Sequence, residues 1–163
     1  MSFHPFAVLL FAIAILDGLL AGASLDQSIE QLPARHRIGV RAYSAYSHAS
    51  HAAIGRFWLI PLAIGGAALT VASAIWSHWL HLSPSQSLPV VLGAGFAIAH
   101  SLSTVKAASV NVTQWRPNTD DAALASILDH YARWQALRAA LQFLTFFVAV
   151  WALAVNGAAI EAH

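Results

Sequence analysis

Four stretches of this chain, roughly 5–24, 57–76, 88–110 and 137–156, are apolar over about the 20 residues that a helix needs to cross a bilayer. Inside hydrocarbon every backbone N–H and C=O must be bonded within the chain, so spans of this kind are helices. The sequence therefore predicts an all-α integral membrane protein: a four-helix bundle occupying residues 1–163 as one domain, with helical extensions on one side. Composition agrees. Charged residues make up 9% of the chain and the mean hydropathy is +0.63, whereas about a quarter of a soluble domain is charged.

Asp17 tests the first span. A central Asp costs about 3 kcal/mol on insertion, and each Leu, Ile, Phe or Val returns about 0.3–0.6. The run from Phe6 to Leu20 holds enough of these to outweigh it. A cleaved signal peptide is the rival reading, because Ala21-Gly22-Ala23 resembles a cleavage site. The missing basic n-region and the interruption at Asp17 favour a retained span.

Lys and Arg are asymmetric. Arg35, Arg37, Arg41 and Arg56 follow span one, and Lys106, Arg116 and Arg133 cluster around the end of span three, while the connection His78–Gln86 has none. The positive-inside rule then puts both basic connections in the cytoplasm and both termini outside, in what is expected to be a bacterial inner membrane. Without Cys, thiol catalysis and iron–sulfur clusters are excluded. A net charge of +1, with its basic residues near the membrane, argues against nucleic-acid binding.

After span one, Pro33 is expected to break the chain and a helix to begin near Ala34. Arg37, Arg41, Ser44, His48 and His51 form one polar stripe on it, and Ala42, Ala45, Ala49 and Ala52 a small-residue stripe. Gly55 is a candidate bend before span two. Thr119 is a candidate N-cap for a single helix running to Asn156, with Asp129 and Arg133 as an i,i+4 pair. Gly18 and Gly22 allow close helix approach. Trp76 and Trp79 fit an interfacial aromatic belt. The sequon at Asn111-Val112-Thr113 falls on the expected cytoplasmic side and is discounted.

Polar groups inside the spans carry the functional signal, because intramembrane charge is costly and marks sites. Asp17, His100 and Gln142 are expected at similar depth facing one interior, ringed nearer the cytoplasm by Arg138, Lys106, Asn111, Asp26 and Glu30. Tyr131, Gln135, Arg138 and Gln142 follow a 4, 3, 4 spacing that carries a polar stripe into the membrane. The competing account is structural, with these residues holding helices in register. His100 suits a general base, a haem ligand or a metal ligand. His48 and His51, three residues apart on one face, could join it on a metal or a haem, with Arg41, Lys106 or Arg138 near haem propionates. An amphipathic helix at the headgroups explains His48 and His51 equally well. Peptidase, nucleotide-driven and nicotinamide motifs are absent from the sequence.

Two stretches look familiar together: Leu25-Asp26-Gln27 through Glu30-Gln31-Leu32-Pro33-Ala34-Arg35, and Tyr131-Ala132-Arg133-Trp134-Gln135-Ala136-Leu137-Arg138. With four spans, the chain resembles the anthrone-oxygenase-like family of small membrane proteins. That resemblance implies a four-helix membrane fold, and for some members oxidation of an activated anthrone carbon to a quinone by dioxygen. Pro33, Arg35, Trp134 and Arg138 match its motifs; His48 and His51 have no counterpart there.

The leading expectation is an oxygenase-type membrane oxidoreductase acting on a lipophilic aromatic or quinone-like substrate taken from the bilayer. His100 would abstract the C–H proton, Arg138 and Lys106 would stabilise the anion, Asp17 would complete the polar pocket, and Trp134 would stack on the substrate. No cofactor is then required. The second is a haem b or metal-binding protein with His48, His51 or His100 as ligands. The third is a small proton-coupled transporter or structural subunit using Asp17 and His100. A homo-oligomer is compatible with each.

Overall fold

Apolar runs of this length leave the backbone no partner but itself, and the chain is helical almost throughout. The computed structural model describes residues 5–52, 56–116 and 119–161. In order come α1 (Pro5–Asp26), a π turn (Gln27–Gln31), α2 (Leu32–Ile38), α3 (Val40–Ser50), α4 (Arg56–Trp79), α5 (Pro84–Asn111), a 3-10 turn (Val112–Trp115) and α6 (Asp121–Glu161). Among the described residues there is no strand. The helices α1, α4, α5 and α6 are long and apolar enough to cross a membrane, so this is an all-α membrane bundle. Helix α6 packs on α5 and α1, and α4 packs on the same two, which closes the four into a ring.

Local chemistry explains the boundaries. The turn between α4 and α5 is tight: His81 takes a positive φ of 50°, and a capping box of Ser83 and Gln86 starts α5 with Pro84 in its first turn. At the opposite end Pro33 does not break the chain. The π turn ahead of it sends the Leu32 amide back to the Gln27 carbonyl. That wider loop relaxes the clash which a proline ring makes with the preceding turn. The break comes instead at Gly39, where φ 87° and ψ 153° suit glycine almost alone. It divides the expected stripe between Arg37 and Arg41. The small-residue stripe Ala42, Ala45, Ala49 and Ala52 faces outward. Gly55, Asn118 and His163 lie outside the described residues.

Helix α6 is continuous over 41 residues, as its lack of breakers predicts. Its N-cap is Asp120 rather than Thr119: the Asp120 carboxylate accepts from the Ala123 amide at 2.7 Å, while the Thr119 hydroxyl turns back to the Arg116 carbonyl. Asp129 pairs with Arg35 of α2 at 2.7 Å and not with Arg133.

The core has three levels. Near the α4–α5 turn an apolar cluster joins Phe6, Leu10, Ile13, Val90 and Ala152. At the other end a second joins Leu32, Tyr43, Ala107, Leu124, Leu128 and Tyr131. Between them the buried positions are largely polar: Asp17 and Ser24 of α1, Thr70 and Ser73 of α4, His100 and Ser103 of α5, and Gln135, Gln142 and Thr145 of α6.

Candidate functional site

The polar level is assembled by helix periodicity. Tyr131, Gln135, Arg138 and Gln142 share the inward face of α6, opposite the end of α1 and the π turn. Gln135 Nε2 donates to the Ser24 carbonyl at 3.2 Å. Arg138 Nη2 donates to Gln27 Oε1 at 2.8 Å, and the Tyr131 side chain hydrogen-bonds the same Gln27. The π turn brings Gln27 to this face.

Arg138 is therefore held by a neutral amide. Among the described residues the ion pairs are Arg35–Asp129 and Arg41–Asp121, and neither involves Arg138. Its guanidinium is largely enclosed, with Nε buried and unpartnered. A buried cation without a counter-charge is costly unless something else supplies the charge.

Across from it stands His100 on α5, 1% exposed. Neither ring nitrogen has a hydrogen-bond partner. The nearby hydroxyls of Ser103 and Thr104 are spent on the His100 carbonyl, at 2.8 and 2.7 Å. His100 lies within electrostatic reach of Arg138. The Oε1 atoms of Gln135 and Gln142 are also buried without donors. Buried polar groups are nearly always paired, so such a gathering calls for an explanation. It joins a fixed positive charge, an imidazole with both nitrogens free, and amide acceptors at mid-bundle. That set can receive a proton and hold an anion.

Asp17, 2% exposed, is buried as well, but it faces α4. Its Oδ2 lies 3.1 Å from Thr70 Oγ1, whose one proton the Gly66 carbonyl contests at 2.8 Å, and its Oδ1 is unpartnered and sits where a Cβ on Gly66 would come within 2.8 Å. Gly66 is what lets α1 and α4 close around the carboxylate. A Cβ added to Gly18 would come within 3.0 Å of the Phe146 ring, whereas one added to Gly22 would meet nothing within 4 Å.

Four expected site residues stand elsewhere. Lys106 is exposed on α5. Arg41 is exposed and engaged by Asp121 and the Thr119 carbonyl, so it is not free for a propionate. His48 and His51 are exposed at the end of α3. Their rings lie 4.9 and 5.7 Å from the Trp115 ring. No group of three His, Cys, Asp or Glu able to hold a metal forms among the described residues; His48, His51 and His100 are not a common ligand set. Trp134 is half-buried, its indole N–H directed at His130 Nε2 at 3.3 Å. Asn111 accepts from Gln114.

Sequence reading missed Gln27, Ser24, Thr70 and Gly66. A Gly66-xxx-Thr70 spacing on span two was the available signal for the last two. The fold and the site together define a four-helix membrane protein with a buried, under-satisfied polar centre. No protein-family model matches the chain, and no curated protein or solved structure does either.

Proposed function

We propose that this protein is a membrane oxidoreductase of the oxygenase type, acting on a lipophilic aromatic or quinone-like molecule with an acidic C–H group. The observation that carries the reading is Arg138: a largely buried guanidinium with an amide partner, no carboxylate among the described residues, and an unpartnered His100 within reach. The resemblance of its two sequence stretches to anthrone-oxygenase-like proteins points the same way.

In this mechanism His100 takes the proton from a ring CH2. The electron pair left on carbon delocalises onto the substrate oxygen as an enolate, which Arg138 stabilises in a low-dielectric setting. Dioxygen, the co-substrate, accepts the electrons and adds at that carbon. Returning the proton gives a hydroperoxide. Loss of water from it leaves C=O, so one oxygen atom enters the product and the other leaves as water. Gln135 and Gln142 offer acceptors that orient substrate hydroxyls.

Oxygen uptake by the purified protein, with anthrone as probe, tests this. Wild type is expected to accelerate uptake. His100→Ala and Arg138→Met should each lower it by about 10²-fold or more, the usual scale for removing a general base or an oxyanion donor. No anthrone-dependent uptake, or uptake unaffected by both changes, overturns the proposal. The free nitrogens of His100 also favour a second reading, axial ligation of haem b. A Soret band lost in His100→Ala would establish it. Asp17 Oδ2 lies beside the Thr70 hydroxyl, and no hydrogen bond joins Asp17 to His100 among the described residues.

The same reading assigns the end carrying α2 and α3 to the cytoplasm of a bacterial inner membrane, because all eight Lys and Arg fall toward it. Labelling of Ala34→Cys from the cytoplasmic side alone is expected; labelling only from outside reverses the orientation.

A further inference from the structure

A second feature lies outside the Arg138 centre, at the end of the bundle rich in Arg. There the π turn, α2 and α3 enclose an open cavity of about 380 Å³. Pockets that hold small organic ligands begin at about this size. Asp26, Glu30 and Gln31 supply one wall, Ile38 another, and Tyr43 and Tyr46 the third.

Its charge is opposite to its surroundings. Arg35 is engaged by Asp129, Arg41 by Asp121, and Arg138 donates to Gln27; Arg35 also lies within electrostatic reach of Tyr43, and Arg37, exposed on α2, has no ion pair among the described residues. Asp121 and Asp129 are thereby neutralised, and Asp120 caps α6. Asp26 and Glu30, four residues apart on the same turn, have no basic partner among the described residues; Asp26 accepts only from the Gln31 amide. Like charges at this spacing repel. A cation between them would remove that cost.

The aromatic wall supplies an independent sign. Tyr43 is 2% exposed yet lines the cavity. Its hydroxyl makes no hydrogen bond among the described residues, and burial holds that phenol well above its ordinary range, so it stays a neutral hydroxyl. The Tyr46 ring stands 6.4 Å from it at an interplanar angle of 50°. The exposed Tyr46 ring beside the two carboxylates offers a face to an ammonium group, with the Tyr43 side chain at the cavity floor. Ile38, exposed at the rim, suits an apolar substituent.

We infer that this cavity is a binding site for an alkylammonium group, formed by Asp26, Glu30, Tyr43 and Tyr46. The chemistry is shared by free organic amines and by the amine headgroups of lipids. The inference is independent of the oxygenase reading, and its test uses no turnover.

Two measurements on the full chain decide it. In the first, the protein in a non-ionic detergent is titrated calorimetrically with benzyltrimethylammonium, with benzenesulfonate as the control of opposite charge. Saturable binding of the cation alone is expected. Glu30→Gln and Asp26→Asn should each weaken it at least tenfold, and Tyr46→Ala several-fold, with circular dichroism and size-exclusion profiles unchanged. In the second, native mass spectrometry compares protein from vesicles of phosphatidylglycerol with and without phosphatidylethanolamine. Retention of the ethanolamine lipid by wild type but not Glu30→Gln identifies a headgroup as the source; cation binding without such retention identifies a free amine. No saturable cation binding together with no selective lipid retention overturns the site. So does equal binding by wild type and both carboxylate variants.

Discussion

A methyl group at position 66 meets the end of the Asp17 side chain. It would stand 2.8 Å from Asp17 Oδ1, so either the carboxylate leaves Thr70 or α1 parts from α4. Gly66→Ala is expected to lower stability by about 1–3 kcal/mol, measured by unfolding in SDS. Gly22→Ala, which meets nothing within 4 Å, should change it by under ~0.5 kcal/mol. Arg138 has the opposite sign. Replacing a buried, uncompensated charge by an apolar side chain of similar volume relieves desolvation, so Arg138→Met should melt higher by roughly 1–2 kcal/mol of stability while losing its ligand. A lower melting point would mean that the Gln27 bond matters more than the charge. At this scale the sequence was informative where charge was costly. Asp17, His100 and Arg138 stand out in an apolar run because hydrocarbon penalises them. Gln27 and Gly66 do not, since an amide at a helix end and a glycine in a span are ordinary until a partner is known.

Between elements, the Arg35–Asp129 bond ties α2 to α6. Asp129 looks from sequence like a partner for Arg133, because the i,i+4 rule sees only its own helix. Tertiary packing offers it Arg35, whose side chain is 10% exposed against 60% for Asp129. Asp129→Ala is expected to cost about 1–2 kcal/mol, between the values for exposed and buried pairs, and Arg133→Ala less than ~0.5. A double-mutant cycle with Arg35→Ala should return a coupling of at least about 0.5 kcal/mol. Gly39 sets the angle between α2 and α3. A side chain there meets a backbone conformation reserved for glycine, and Gly39→Ala should lose roughly 1–3 kcal/mol. The length of α6 was legible because continuity needs only the absence of breakers. The π turn was not: it is a local accommodation of Pro33 that depends on which carbonyls the bundle leaves free.

For the molecule as a whole, the membrane spans followed from apolar length alone, whereas the layering of the core did not. Two apolar clusters bracket a polar middle, and no one-dimensional pattern reveals which polar side chains will meet there. The same α6 that crosses this middle also leaves it. At 1.5 Å per residue its 41 residues extend about 60 Å, roughly twice a hydrocarbon core of ~30 Å. Its first turns project beyond the bilayer and are clasped to α2 and α3 by two ionic rungs, Arg41–Asp121 and Arg35–Asp129. Those rungs stand in reach of solvent ions; the buried His100, Gln135 and Gln142 side chains do not. Ionic strength should therefore act on one end of the molecule only. As salt rises toward 1 M, where the screening length falls to about 3 Å, amide hydrogen exchange in α2, α3 and the first turns of α6 is expected to quicken, with the inner turns of all four spanning helices unchanged.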